Sequence, residues 1–467
     1  MQTEQTFNTR KNLPLMIVLL SGAFITILNQ TLLATALPPI MIDFQVTEST
    51  VQWLQSIFML VNGIMIPVTA FLIAKFTTRK LFIFAMSIFS IGTLVAAISP
   101  HFSFLLIGRI LQGAGAGIMM PLLQTIMFLI FPLEKRGRAM GIYGLVIGFA
   151  PAIGPSLSGY LVDHFPWRSV FYVVFPITII IIVAAYRLLK NVTKITNPKI
   201  DYPSIILSTL GFGGLLYACS IAGSAGWTSF RVIISFIVGG ITLTLFIMRQ
   251  LRLDDPILEF KVFQSRIFTL TTALGMIVFA AMIASTVILP LYMQIMLGYD
   301  AFHSGLMLLP GAIVMGVMNP VNGSLFDKYG GKWLLRIGLI IVTITTFFFS
   351  FLSIDTSIYY LSALNAVRML GISMVMMPST TLGLNQLPKE LIPHGTAMNN
   401  TFRQIAGSVG TAILVTVMAT SQTMDGTVEG AIKGVNVAFF VAGLIVSIGL
   451  FFSFRIDDKK DQSIVKY

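Results

Sequence analysis

Fourteen long apolar runs dominate this sequence and restrict what it can fold into. Each holds about 20 mostly apolar residues, the length that an α-helix needs to cross the hydrocarbon core of a bilayer. Because lipid offers no water to backbone amides, each run is predicted to be a membrane-spanning helix. The runs lie at about 14–38, 52–73, 81–99, 103–130, 138–162, 169–187, 204–224, 231–249, 267–292, 304–325, 333–353, 358–382, 396–420 and 435–454.

Composition excludes the soluble classes of protein. Of the 467 residues, 56% are hydrophobic and 10% are charged, whereas soluble domains carry about 25% charged residues. A soluble or disordered chain does not carry that apolar fraction. The mean hydropathy of +0.88 is typical of a polytopic membrane protein.

Positive charges alternate between the two sides of the predicted spans. Of the 30 lysines and arginines, only Arg168, Arg231 and Lys433 fall in odd-numbered connections, while Arg109, Arg368 and Arg403 lie within spans. The others fall in even-numbered connections or near the termini. Because cytoplasmic loops are enriched in Lys and Arg, this asymmetry predicts that both termini are cytoplasmic.

The sequence contains few residues that could form a metal, nucleotide or catalytic site. The chain has one cysteine and four histidines, and no two of these histidines fall within one helical turn. No phosphate-binding loop of the G-x-x-x-x-G-K type occurs. Paired acids, or a nucleophile beside a base, are also absent from either predicted membrane face. We therefore expect no enzyme, no cofactor, no metal and no nucleic-acid partner.

Three short segments repeat at nearly constant spacing. Residues 70–79 resemble 323–332, the segment beginning at Arg109 resembles that at Arg368, and 137–140 resembles 395–398. The repeat predicts two six-span bundles, and two spans without counterparts lie between them. Paired halves with a site at their interface are typical of secondary transporters. The predicted parts are an N-terminal bundle at 1–190, linking spans at 200–250, a C-terminal bundle at 265–456 and a cytoplasmic tail at 457–467.

Four motifs resemble the major facilitator superfamily, and more narrowly its fourteen-span drug:proton antiporters in the lincomycin-resistance-like branch. They are the loop after the second span of the C-terminal half, a buried arginine with small residues after it in span four, a Gly- and Pro-rich span five, and residues 28–38 of span one. The resemblance implies a major facilitator fold of two six-helix bundles with two central linking helices. Its gating and antiporter residues correspond here to Gly148, Pro151, Gly154, Pro155, Gly323, Asp327, Lys328, Gly331 and Lys332.

The resemblance is incomplete at two places. The first-half copy of the loop motif, at 74–80, lacks the acid and both glycines, so only Asp327 is predicted to gate. The alternative for either loop is a solvated turn with positive-inside charge. The family usually carries an aspartate where Asn29 stands, and an amide cannot take up a proton. Proton handling would then fall to Asp327, or to Asp43 or Asp300 near the predicted outer side.

Polar residues inside the spans supply the remaining candidates for a substrate and proton pathway. A charge in the membrane is costly and must face protein or water. Arg109 could alternatively snorkel to the interface, and Arg403 could bind a substrate carboxylate, repel protons or simply hydrogen-bond to helix carbonyls. Amides such as Asn319 also hydrogen-bond between helices as structural contacts. The candidate set is Asn29, Gln30, Thr31, Arg109, Gln112, Tyr143, Tyr292, Asn319, Arg368, Arg403 and Gln404.

No acid lies near the centre of any predicted span. A site for permanently cationic drugs gains from a buried carboxylate, so neutral, zwitterionic or anionic amphiphiles are the expected substrates. The sequence thus predicts a monomeric plasma-membrane exporter that moves small hydrophobic compounds by alternating access, driven by protons and surrounded by lipid. Alternatives are an exporter of fatty acids or other anionic amphiphiles, an uncoupled uniporter or importer, and a non-transporting sensor that retains the scaffold.

Overall fold

The computed structural model describes residues 9–193, 195, 196, 198–422 and 427–456. All regular structure in these residues is helical, and fourteen helices are long and apolar enough to cross a membrane. The predicted tail at 457–467 lies outside the described residues. The spanning helices are α1 Thr9–Phe44, α2 Trp53–Lys75, α3 Thr78–Ala97, α4 Phe102–Ile130, α5 Arg136–His164, α6 Ser169–Leu188, α7 Tyr202–Ala225, α8 Phe230–Gln250, α9 Arg266–Leu291, α10 Ala301–Tyr329, α11 Lys332–Phe348, α12 Ile358–Asn385, α13 Ile392–Thr420 and α14 Val428–Ser453.

Short polar side chains set where several helices begin. The Thr77 hydroxyl accepts a hydrogen bond from the Lys80 amide at the start of α3, and Ser265 accepts one from Phe268 at the start of α9. Asp300 caps α10 in the same way. Each cap satisfies one of the backbone donors that a helix leaves without an intrahelical acceptor. These helices therefore begin directly after the polar residues, within a few positions of the expected boundaries.

The helices form two bundles of six and a separate hairpin, as expected for the fold class. Helices α1–α6 pack together, as do α9–α14, while α7 and α8 pair with each other. Helix α7 also packs on α2 and α13, so the hairpin lies along one seam between the bundles. The other seam is formed by α5 and α10. In the most apolar stretch of α4, 78% of the residues are buried inside the protein, whereas in that of α8 only 17% are. Helix α4 is therefore central and α8 peripheral.

We call the end of the molecule that carries the even-numbered connections the basic face, after the cations of those loops. The bundles meet along α5 and α10 in the half nearest this face, where the cross-bundle contacts of α5 lie between Arg136 and Phe149. In its other half, α5 contacts α1 of its own bundle through Ser158 and Thr35. Pro151 and Pro155, in that half, are exposed. The bundles are thus closed against each other at the basic face.

Candidate functional site

Glycines on α5 allow the two bundles to approach closely near the basic face. A Cβ atom added at Gly141 would lie 2.6 Å from the Asn319 carbonyl oxygen, and one at Gly148 would lie 3.0 Å from the Gly316 Cα. The Asn319 side chain donates a 2.7 Å hydrogen bond to the Gly144 carbonyl oxygen. Small residues of this kind let helix backbones come into contact. This part of the predicted antiporter motif therefore forms the interface with α10.

The same motif serves a different purpose farther along α5. A Cβ added at Gly154 would lie 2.7 Å from the Thr31 Cβ of α1, within one bundle. The two predicted motif prolines, Pro151 and Pro155, flank this contact and are exposed. The motif thus divides into a cross-bundle half and a half that joins α5 to α1.

Asp327 fastens α10 to the beginning of α5. Its carboxylate accepts hydrogen bonds from the backbone amides of Gly137, at 2.7 Å, and Arg138, at 2.8 Å. These amides belong to the first turn of α5, where the helix dipole favours a negative charge. Gly137 and Gly323 are also in direct backbone contact. The acid therefore links the two bundles at the basic face, as a conformational latch requires.

The other predicted loop residues lie close to this contact in the chain. Lys328 is exposed, and its ammonium lies 4.9 Å from the Tyr329 ring centre. Gly331 is buried beside Phe326, and Lys332 begins α11. In the first-half copy, Arg79 donates to the Tyr186 carbonyl oxygen within its own bundle. The described contacts of the two loops are therefore asymmetric.

Three further side-chain pairs join the bundles near the basic face, and sequence reasoning did not assign them. The hydroxyls of Thr125 and Thr396 lie 2.8 Å apart. The Asn400 amide donates to the Gln124 oxygen at 2.7 Å. The Arg136 guanidinium donates to the Asn385 oxygen at 3.0 Å. We call these three pairs, with the Asp327 contact, the basic-face seal.

Arg109 is held entirely by neutral acceptors. Its Nε donates to the Leu54 carbonyl oxygen at 3.0 Å, and its Nη1 donates to Gln112 at 2.8 Å and to Asn29 at 3.3 Å. The guanidinium lies 4.3 Å from the centre of the Phe58 ring, a cation–π contact. Three predicted residues, Asn29, Arg109 and Gln112, are therefore brought together. Arg109 is fully buried, so it does not snorkel to the membrane surface.

Arg368 occupies the corresponding position in the second bundle. Its Nη1 donates to the Ser285 hydroxyl at 2.5 Å and its Nη2 to the Ala281 carbonyl oxygen at 3.0 Å. Both acceptors lie on α9, and the aromatic rings of Phe349 and Phe439 lie nearby. The two repeated arginines thus each anchor helices within their own bundle.

Arg403 lies on α13 and reaches α12. Its Nη2 donates to the Met376 carbonyl oxygen at 3.0 Å, to Thr380 at 2.6 Å and to Ser379 at 3.3 Å. The Tyr143 hydroxyl, on α5, donates instead to the Met120 sulfur of its own bundle at 3.6 Å. Gly275 of α9 packs against the Nε–Nη2 edge of the guanidinium, so the described contacts of Arg403 lie within its own bundle.

The remaining candidates are spread over several parts of the molecule. Gln404 approaches Gly63 of α2, where a Cβ would lie 3.3 Å from its Cγ. Thr31 packs against α5, and Gln30 is partly buried one residue before it. Tyr292 begins the π-helical turn Tyr292–Met296 that follows α9, and it donates to the Ser353 carbonyl oxygen at 2.6 Å. Its hydrogen-bond partner is therefore not a residue of the basic-face seal.

Besides the Asp327 carboxylate, the polar side chains that join the bundles in the seal are hydroxyls, amides and the Arg136 guanidinium. Within the described part of the chain, no three His, Cys, Asp or Glu side chains are grouped as metal ligands. Such an interface can bind and release a small molecule, and it can close or open a passage between the bundles. It lacks the paired acid and base of a catalytic centre.

Comparison with known proteins agrees with this architecture. The Major Facilitator Superfamily profile matches residues 19–411. An uncharacterized MFS-type transporter of Bacillus subtilis, YcnB, is 55% identical over 95% of this chain and 94% of its own length. The lincomycin resistance protein LmrB of Listeria monocytogenes is 42% identical over 98% of this chain and 100% of its own.

A solved structure shares the fold at low identity. The human organic anion transporter MFSD10 superposes with a TM-score of 0.71 at 12% identity, covering 95% of this chain and 99% of the other. With fourteen spanning helices in two bundles, and the superfamily profile over most of its length, the chain is a multi-pass membrane transporter, not an enzyme, and belongs to the major facilitator superfamily.

Proposed function

We propose that this transporter exports hydrophobic or amphiphilic compounds across the plasma membrane by proton-coupled alternating access. The observation that carries the proposal is the basic-face seal. The seal joins α5 to the opposite bundle between Arg136 and Phe149, while Gly154 and Ser158, farther along α5, contact α1 of its own bundle. Breaking the seal while the opposite half closes would expose the interface to the other side, as alternating access requires.

Relatives support an export direction and a drug-like substrate. The LmrB proteins are named for lincomycin resistance, and a Haemophilus influenzae relative, EmrB, is named as a multidrug export protein and is 28% identical. We propose accordingly that the substrate is a small amphiphilic toxin or antibiotic. We further propose that the chain acts as a monomer with cytoplasmic termini and with the domain boundaries given above.

Asp327 is the acid best situated to couple protons to this motion. Asn29 cannot titrate, and it is committed to Arg109. Asp327 is partly buried and accepts hydrogen bonds across the bundle interface. Protonating its carboxylate would remove the charge that the first turn of α5 stabilises. Proton binding at this residue would therefore loosen the seal.

The test uses purified full-length protein in liposomes that contain a pH-sensitive dye. An imposed pH gradient is followed on addition of a lincosamide, a cationic dye or a fatty acid, each also added to protein-free liposomes because fatty acids carry protons across bare lipid. We expect one class to discharge the gradient only with protein present. Labelled substrate that moves without any effect on the gradient would contradict coupling and support the uniporter alternative.

A further inference from the structure

An apolar groove lies on the outer surface of the molecule, between the hairpin and the first bundle. Its volume is about 380 Å³, within the roughly 300–1,000 Å³ that is usual for small-molecule sites. Helix α7 forms its floor, and α2 and α8 form its two walls. Because all three helices span the membrane, the groove opens into the hydrocarbon core. Its lining includes Leu60, Ile64, Gly213, Tyr217, Ile234 and Val238.

Glycines keep the floor of this groove low. Gly213 faces α2, and a Cβ added there would lie 3.0 Å from the Ile64 Cδ1. Gly214 packs against α8, and a Cβ added there would lie 2.9 Å from the Gly239 Cα. Small residues thus bring both walls close to the floor and leave the space above it unfilled.

The groove is continuous with the covered seam between the bundles. Gly63 precedes Ile64 in the wall formed by α2, and a Cβ added at Gly63 would lie 2.5 Å from the Leu216 Cδ1 of α7. The same Cβ would lie 3.3 Å from the Gln404 Cγ of α13. A molecule in the groove would therefore lie beside the contact of α2, α7 and α13 that covers this seam.

A cation and two aromatic rings mark the end of the groove opposite the basic face. Arg231, in the first turn of α8, precedes the lining residues Ser235 and Val238 by four and seven positions. Residues at this spacing share one face of a helix, so Arg231 extends the wall towards the membrane surface. Trp53 stacks on Tyr217 with ring centres 5.8 Å apart, and such rings are typical of the membrane–water boundary.

This end of the groove favours an anion. Arg231 is exposed, and it takes part in none of the ion pairs among the described residues. Ser229, which precedes the helix, provides no side-chain cap, so the first-turn amides of α8 also lack that acceptor. The guanidinium and the positive end of the helix dipole therefore act together on a negative group. An apolar groove that leads from such a point towards the membrane centre matches a phospholipid.

We propose that the groove binds one phospholipid of the leaflet opposite the basic face. Its phosphate accepts hydrogen bonds from Arg231, and one acyl chain lies over Gly213 between α2 and α8. At a rise of about 1.5 Å per residue, Val238 lies roughly 10 Å deeper than Arg231, so the phosphate and its chain reach both positions. The lipid fastens the hairpin to the first bundle. This site is separate from the substrate passage and does not depend on the proposed export.

Native mass spectrometry tests the site by counting bound lipids. The full-length protein, delipidated in a neutral detergent, is titrated with dioleoylphosphatidylglycerol and with dioleoylglycerol, which has the same chains but no phosphate. We expect one phosphatidylglycerol to bind saturably and about tenfold more tightly than dioleoylglycerol, because charge-assisted hydrogen bonds from arginine are strong. Equimolar oleate should not displace it, because oleate lacks the second chain that packs on the exposed apolar face of α8.

Variants assign the binding to the groove. Arg231→Gln should abolish the preference for the phosphate, whereas Lys433→Gln, which removes an exposed cation at the same end of the molecule, should not. Val238→Phe should fill the groove and weaken the binding of both lipids. Ile237→Phe enlarges an exposed side chain of α8 outside the groove and should bind as the wild type does. An unchanged unfolding temperature in lipid-free detergent shows that each variant is folded.

Three results would overturn the site. The first is equal affinity of the wild type for phosphatidylglycerol and dioleoylglycerol. The second is unchanged phosphatidylglycerol binding by folded Val238→Phe. The third is displacement of phosphatidylglycerol by equimolar oleate, which would assign the groove to free anionic amphiphiles instead.

Discussion

At the scale of single residues, the buried arginines show how this protein tolerates charge in its interior. Arg109 lacks a carboxylate partner and instead uses a carbonyl oxygen, two amides and an aromatic ring. Asn29 occupies the position of the superfamily's usual acid and accepts from Arg109. The Asn29 amide therefore has a structural function here, because it accepts a hydrogen bond from Arg109 without adding a titratable group.

Gln112 links Arg109 to a neighbouring helix, and its loss should be costly. It accepts from Arg109 at 2.8 Å and donates to the Thr93 hydroxyl at 2.9 Å, and it is fully buried. Gln112→Leu should lower the free energy of unfolding by about 1–3 kcal/mol, because two buried polar partners lose a hydrogen bond. Denaturant titration of the purified protein measures this. Gln30→Leu, which removes a partly buried amide that has no described hydrogen bond, is the control, and an equal loss there would contradict the argument.

Asp43 should make stability depend on pH at the end of the molecule opposite the basic face. The Trp167 indole donates to its carboxylate at 3.0 Å and Arg168 donates at 2.9 Å, and these bonds lower the pKa of Asp43. Since the folded-state pKa is depressed, the stabilisation is complete above the ordinary aspartate pKa of about 3.9 and is lost as the pH falls below it. The wild type should therefore unfold at a higher temperature than Asp43→Asn at neutral pH, and the gap should begin to narrow as the pH falls below about 3.9, closing only at the lower folded-state pKa. A gap that stays constant as the pH is lowered through this range would contradict the assignment.

At the scale of helices, the seal is the feature that distinguishes this conformation. Its contacts come from α4 and α5 in one bundle and from α10, α12 and α13 in the other. Helix ends and small residues meet here, so separation requires no rearrangement inside either bundle. Each bundle can therefore move as a unit.

A disulfide across the seal should hold the transporter closed at the basic face. The Thr125 and Thr396 hydroxyls are 2.8 Å apart, close enough for cysteines at both positions to pair with little movement. In a Cys219→Ser background, Thr125→Cys with Thr396→Cys should crosslink under mild oxidation and lose transport, and a reductant should restore it. Peptide mass spectrometry detects the bond.

The control places the second cysteine at the other end of α13. Thr125→Cys with Ser421→Cys should neither crosslink nor lose transport on oxidation. A crosslinked Thr125–Thr396 protein with undiminished transport would show that the bundles need not separate here, and it would contradict alternating access through this seal.

Sequence patterns predicted the helices well and the seal only in part. Span positions follow from hydropathy, because every membrane-spanning segment must be apolar and helical. Asp327 was found because a loop motif marks it. Thr125 and Thr396 carry no such mark, since they are 271 residues apart and are ordinary in type. Pairing at that distance depends on how two bundles dock, which hydropathy and spacing do not encode. Arg403 was identified as a candidate, but its hydrogen bonds to α12 and the close packing of Gly275 against it emerged only from the structure.

At the scale of the whole molecule, the peripheral hairpin packs against one of the two seams between the bundles. Helix α7 covers the seam between α2 and α13, and the Trp227 indole fixes the end of the hairpin to Thr416 by a 2.6 Å hydrogen bond. The seam between α5 and α10 has no such cover from the hairpin. Motion between the bundles is therefore expected to pivot about the covered seam and to be largest at α5 and α10.

The distribution of charge over the whole molecule predicts its orientation in the membrane. Cationic residues cluster at the basic face, and positively charged loops remain in the cytoplasm during insertion. In a Cys219→Ser background, a membrane-impermeant maleimide applied to intact cells should label Asp355→Cys, in the exposed connection between α11 and α12. It should not label Glu390→Cys, which is exposed at the basic face, until the cells are opened. The reverse pattern would place the basic face outside and contradict the predicted cytoplasmic termini.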